Sequence, residues 1–280
     1  MGTGTGIGIG IPFRRMGGGA ANTARTQAFL TATGITDATI ISALNAMDNS
    51  LISAGLLPSG TGAGKIKALY PIVGGTAGTH KFNFVNPADT DAAFRLTFFG
   101  GWTHSANGAL TNGSNAYGNT YINPLANLTT SNTGFFGHYL RNNNASTNDI
   151  LGISDGSSSL RNLGSDGTNS YARFYVSANS QANGVSRIDK TIIWNRFNAA
   201  AASVDCWRNG TKTTTLGAAF AAKPNNNIYI GCFNNIGTPV SYSVSAFAFL
   251  IFGDIGLTDI EAATLTSVID TFQTTLGRNV

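Results

Sequence analysis

The sequence predicts a mostly β protein: an antiparallel jelly-roll sandwich with a terminal helix, preceded by a short helix and an extended glycine-rich N-terminal arm. Three observations point there. From about residue 65 to residue 253, short alternating or apolar runs follow one another between Gly- and Asn-rich turns. No run of helical period interrupts them. The chain then closes on an amphipathic segment that carries signals for both helix ends.

The arm comes first, as residues 1–34. It opens MGTGTGIGIGIPF, with glycine at every even position from Gly2 to Gly10. Such a period-two strand has one bare face, which lets another backbone approach closely. Its other face carries Ile7, Ile9 and Ile11, and these, with Phe13, need cover. A lone strand cannot satisfy its own hydrogen bonds. The expected role is therefore strand addition to a partner's sheet edge, with Arg14 and Arg15 marking where the arm leaves that partner.

Residues 35–65 read as one helix and a glycine linker. Thr36 or Asp37 caps the helix, and Gly55 ends it. Ile40, Leu44, Met47 and Leu51 fall at spacings of four, three and four, one narrow heptad-like stripe. The stripe either docks on the β domain or pairs with copies of itself, as in a homotrimer. The linker PSGTGAGK follows. It mimics a phosphate loop, but Ser59 stands where the first glycine belongs and Ile66 where the metal-binding hydroxyl belongs.

Residues 66–280 form the jelly-roll domain. Strand-like text lies at 65–73, 79–84, 92–100, 115–123, 134–140, 148–154, 158–164, 170–177, 190–197, 203–208, 211–217, 227–233 and 242–253. Asn209-Gly210 is a two-residue hairpin signal. The last strand, with Phe247, Phe249 and Ile251 facing one way and Ala246, Ala248, Leu250 and Phe252 the other, is apolar on both faces. It belongs in the middle of a sandwich. In the final helix Thr258 and Glu261 form a capping box, Leu265, Val268, Ile269, Phe272 and Leu276 make the apolar face, and Gly277 ends it.

Composition narrows the function. Of 280 residues 42% are hydrophobic, enough for a sizeable core, and only 11% are charged, against an average of about 25%. A polar but uncharged surface suits repeated contacts, because few charges must be desolvated. Net charge is +4, but no basic run exceeds Arg14-Arg15, so no nucleic-acid stripe is expected. The most apolar run, 244–253, is too short to span a membrane as a helix. The reading expects no cleaved leader. Cys206 and Cys232 sit in strand-like text, as buried hydrophobes or as a disulfide.

Catalytic chemistry is sparse. Glycosidases of sandwich folds need paired carboxylates, and this chain has one glutamate, Glu261, already used as a cap. Asp89 and Asp91 read as turn residues, with a structural Ca²⁺ as their weaker alternative. His80, His104 and His138 have no nucleophile at a telling spacing. The reading therefore names no catalytic residue, no metal ligand and no cofactor. Among the aromatics, Trp194 and Trp207 read as core. Trp102, after Gly100-Gly101 at a strand end, and Tyr117 read as a possible glycan-stacking platform.

Residues 180–280, and more loosely 92–180, resemble the concanavalin A-like or laminin-G-like jelly roll. The hairpin at Asn209-Gly210, the strand ending at Ile230-Gly231, and Leu257, Thr258 and Glu261 leading into the terminal helix carry that resemblance. Residues 66–117 and the glycine-rich start resemble virion structural proteins of tailed bacteriophages, in the crAss-like group of Bacteroidetes phages. The resemblance implies a non-enzymatic virion component, a head or tail fibre or decoration. It would be joined to other virion proteins by its arm and would display the jelly roll. The alternative is a carbohydrate-binding adhesin that recognises host surface glycans, and the third reading is a glycoside hydrolase.

Overall fold

The computed structural model describes residues 1, 21–142, 148–164, 169–177, 182–186, 191–196, 204–216 and 220–279. Ile7, Ile9, Ile11, Phe13, Arg14 and Arg15 lie outside them. In chain order the elements are α1 (Ala24–Thr33), α2 (Ala38–Ser53), β1 (Ile66–Tyr70), α3 (Ala77–His80), β2 (Thr97–Phe99), β3 (Trp102–Ser105), β4 (Gly108–Thr111), β5 (Tyr117–Asn119) and α4 (Pro124–Asn127). There follow β6 (Gly134–Leu140), β7 (Asp149–Ser154), β8 (Ser158–Gly164), β9 (Asn169–Ser177), β10 (Ala182–Ser186), β11 (Thr191–Arg196), β12 (Val204–Arg208) and β13 (Thr211–Leu216). The last are β14 (Tyr229–Ile230), β15 (Phe233–Asn235), β16 (Thr238–Val240), β17 (Ala246–Gly253) and α5 (Asp259–Thr275).

The strands form two sheets packed face to face. One runs β13-β12-β11-β6-β17-β4-β3, with β1 also on β17; the other runs β10-β9-β8-β7-β14-β5-β2, with β15 also on β7 and β16 on β15. Every pairing of these strands is antiparallel except β15 with β7. The expected mostly β sandwich with a terminal helix is thus observed.

The helices add a third layer. One apolar core lies between the sheets and holds Tyr70, Phe136, Leu151, Trp194, Ile230, Phe247, Leu250 and Phe252. A second lies between the first sheet and α1, α2 and α5, and holds Phe29, Leu44, Leu51, Phe249, Ile251, Leu265 and Phe272. This explains why β17 is apolar on both faces: it is covered by a sheet on one side and by helices on the other. A register shift between Phe247 and Phe249 moves Phe247 to the inter-sheet side while Phe249 faces the helices.

The stripe on α2 docks inside the chain. Leu44 and Leu51 are fully buried, Met47 nearly so, and Ile40 packs on the same core. This corrects its expected role as an oligomer helix, since side chains committed to the intramolecular core have no surface left for a second copy. Asp37 caps α2 by accepting from the Ile40 amide at 2.9 Å. On α5 the Thr258–Glu261 capping box forms, and Glu261 also pairs with Lys65.

Three local differences stand out. Residues 24–33, within the expected arm, form α1, capped by Thr23 and ended by Gly34 in the left-handed region. Residues 79–84 are not a strand: Thr76 and Thr79 form a capping box around α3. The Asn83 side chain then takes the Leu69 amide that a strand neighbour would have taken. A hairpin, β3–β4, turns at Ala106-Asn107 where none was expected. The expected turn at Asn209-Gly210 is present between β12 and β13, with both residues at positive φ.

Candidate functional site

The outer face of the second sheet carries a row of aromatic rings near its β2 edge. Alternation places them there. Phe98, Gly118, Ile230 and Leu151 stand in register across β2, β5, β14 and β7, and point into the sandwich. Their neighbours Phe99, Tyr117 and Tyr229 must therefore point outward. Phe99 pairs with Tyr117 across strands, and the rings stack with centroids 4.8 Å apart and planes 12° from parallel. Tyr117 and Tyr229 follow at 4.9 Å. Phe99 is 40% exposed and the two tyrosines are half-buried.

Gly118, directly behind this row, keeps it flat. A side chain there would press within 2.8 Å of Ile230 and force the strands apart. Polar groups border the rings. Thr97 and Asn119 face outward beside them, and Tyr121 donates its hydroxyl to Thr97 Oγ1 at 3.1 Å. At the other end the 112–115 loop is set by Asn112 Oδ1, which accepts from the amides of Ser114, Asn115 and Ala116. Burial, then neighbouring ionisable groups, raises the hydroxyls of Tyr117 and Tyr229. Both remain protonated donors at neutral pH.

Beyond Tyr229 the row meets charge. Tyr229 is in register with Gly152, and the Phe233 ring lies over that bare glycine. Arg161 stacks on Phe233 at 4.2 Å and holds Asp149 through two hydrogen bonds. Burial raises the Asp149 carboxyl, and Arg161 opposes that shift.

Trp102 is half-buried at the sandwich rim instead of standing in the row. Its ring packs against Phe98 at 5.0 Å and Phe247 at 6.0 Å, and its indole N–H donates to the Tyr117 carbonyl at 3.1 Å. It braces the platform from below. Tyr117 is in the row itself. The sequence reading missed Phe99 and Tyr229, because their role depends on three strands meeting in register, and β14 is only two residues long.

Other candidate residues lie elsewhere. Asp89 and Asp91 are exposed and ion-paired with Lys81 and Arg95. Both carboxylates are thus met by cations of the chain itself. The buried Asp254 is likewise met by an ammonium, that of Lys223. Asp155 accepts from the amides of Ser157 and Ser158, a turn role. Trp194 and Trp207 are buried in the two cores. Cys206 and Cys232 are buried and not joined in a disulfide, and burial pushes the Cys232 thiol up. His80 and His104 meet through their Nδ1 atoms at 2.9 Å, with the Gly75 amide donating to His80 Nε2. Among the described residues no three His, Cys, Asp or Glu side chains cluster as a metal site, and no helix is long and apolar enough to cross a membrane.

No protein-family model matches the chain, and no curated protein matches it. Solved structures do. A mutant of Trypanosoma rangeli sialidase displaying trans-sialidase activity superposes with a TM-score of 0.51 at 14% identity, over 84% of this chain and 38% of that one. Domain 4 of AbnA, a GH43 extracellular arabinanase from Geobacillus stearothermophilus, in complex with arabinotriose, gives 0.49 at 15% identity, over 72% and 98%. The Ruminococcus gnavus IT-sialidase CBM40 bound to α2,3 sialyllactose gives 0.39 at 12%, over 48% and 82%. At these identities the likeness is one of fold.

Proposed function

We propose that this protein is a non-catalytic carbohydrate-binding jelly roll that takes glycan on the Phe99–Tyr117–Tyr229 row. One observation carries the reading: three aromatic rings, partly open to solvent, are aligned on one sheet face. The apolar face of a sugar ring covers aromatic carbon, while hydroxyls at its rim find Thr97, Asn119 and the tyrosine hydroxyls. Rings held by strand register lose little entropy on binding. Glu261 is engaged by its helix cap and by Lys65, and Asp149 by Arg161. Neither is a free acid poised over the row.

The test is a glycan array probed with the full chain, its Tyr117→Ala variant and its Tyr229→Ala variant. Binding by the parent and a tenfold or greater loss in either variant is expected, since truncating a central aromatic contact costs about 2 kcal/mol. Equal binding by all three chains overturns the reading, as does no binding by the parent.

A second reading, structural component of an assembled bacteriophage particle, rests on the resemblance of residues 66–117 and of the glycine-rich start to phage virion proteins, with the alternating glycines of residues 2–10 as its attachment arm. It expects deletion of residues 2–20 to abolish incorporation into particles while leaving glycan binding unchanged. Incorporation of the truncated chain would count against it.

A further inference from the structure

A groove of about 680 Å³ lies between α1, the 61–63 linker and the 83–94 segment. That volume is in the range of sites that bury a ligand, about 300–1,000 Å³. Ala28 and Ala32 from α1 and Val85, Ala88 and Ala92 opposite give it apolar walls, with Lys67 and Asn86 as polar members. Arg25 also lines it and is fully buried. Its two terminal nitrogens are occupied by Asp48 and by the carbonyls of Pro58 and Gly62. Its Nε has no acceptor. That guanidinium is enclosed beneath the groove floor, so what the groove leaves open is apolar wall.

We propose that this groove receives the chain's own N-terminal arm, residues 7–13, laid along α1. The arm supplies what the groove lacks. Its glycine face permits close approach, and Ile7, Ile9, Ile11 and Phe13 need apolar cover. Alanine walls leave room for these larger side chains. The tether also fits. Residues 14–22 separate Phe13 from the α1 cap at Thr23. Nine residues reach about 30 Å when extended, whereas the ten residues of α1 span about 15 Å. A tether this short raises the effective concentration of the arm to the order of millimolar, which favours its own groove over that of another copy. The free chain thereby keeps its isoleucine row covered, and an assembling partner must compete for it.

The experiment uses the full chain with Ile9→benzoylphenylalanine, prepared in ¹⁴N and ¹⁵N forms, mixed, irradiated and mapped by mass spectrometry. Cross-links from residue 9 to residues 28–32, 61–63 or 85–92, each within a single isotope form, are expected. Mixed-isotope pairs overturn the proposal, as do cross-links confined to other regions or none at all. Ala32→Trp, which fills the groove, should lower the yield at least tenfold. Ile7→Asp with Ile11→Asp should do the same without touching any described element. Unchanged yield in that arm variant also overturns the proposal.

Discussion

The contact between Arg25 and Asp48 offers the sharpest test of how the helical layer is held. Both side chains are fully buried and paired through Arg25 Nη1 and Asp48 Oδ1. Asp48 Oδ2 also accepts from the Thr23 hydroxyl at 2.6 Å, so one carboxylate ties α2 to the cap of α1. Asp48→Ala removes the counter-charge and leaves the guanidinium with two carbonyl partners, at Pro58 and Gly62. Stranding a buried charge in this way costs about 3–5 kcal/mol. For a chain of this size that corresponds to a fall in melting temperature of roughly 5–9 °C. Urea titration followed by circular dichroism should show the midpoint move with little change in slope. Arg25→Met combined with Asp48→Leu should recover most of the loss, because an apolar pair strands nothing. A loss under about 1 kcal/mol in Asp48→Ala, or no recovery in the double variant, would refute the reasoning.

Acid titration should expose the buried histidines. Burial lowers His80 to about 3 and His138 to about 4, with His104 and Arg278 adding to the shift at His80. The unfolded chain, near 6.5, binds more protons than the folded one in this range. Stability should therefore fall as pH drops from about 6.5 towards 4.5, by at most ~1.4 kcal/mol per pH unit per histidine. His138→Gln should flatten that slope in denaturant melts at stepped pH; an unchanged slope would show the shift is wrong. Gly253→Ala should cost about 1–3 kcal/mol, because its Cβ would fall 2.0 Å from the buried Phe135 ring. A thermal melt unchanged from the parent would contradict that packing. Thr258→Ala should remove the α5 cap for about 0.5–2 kcal/mol, read in the same melts.

Much of the fold was legible because its signals are local. Thr258 with Glu261, Asp37 before α2, and Asn209-Gly210 each act within four residues, and each forms as read. The two-sided apolarity of β17 placed it centrally, although its second cover is a helical layer instead of a second sheet. Non-local partners were what the sequence concealed. Helix α1 is weakly amphipathic and stands mainly on Phe29, Leu30 and the buried Arg25. Asn83 reads as an ordinary loop residue, yet it satisfies the Leu69 amide fourteen positions away. The α2 stripe left docking and self-pairing equally open, and only the facing surface of α5 and the first sheet chose between them. At the candidate site Tyr117 was named from its type. Phe99 and Tyr229 join it through the register of β2, β5 and β14, which no single segment encodes.

Hydrogen exchange of the full chain, with and without a saturating concentration of its tightest array glycan, tests the central claim most directly. Glycan on the aromatic row should slow exchange at residues 97–99, 117–119 and 229–230 and leave α2 and α5 unchanged. Protection confined to the helical layer, or absent from all three strands while glycan is bound, would contradict the account.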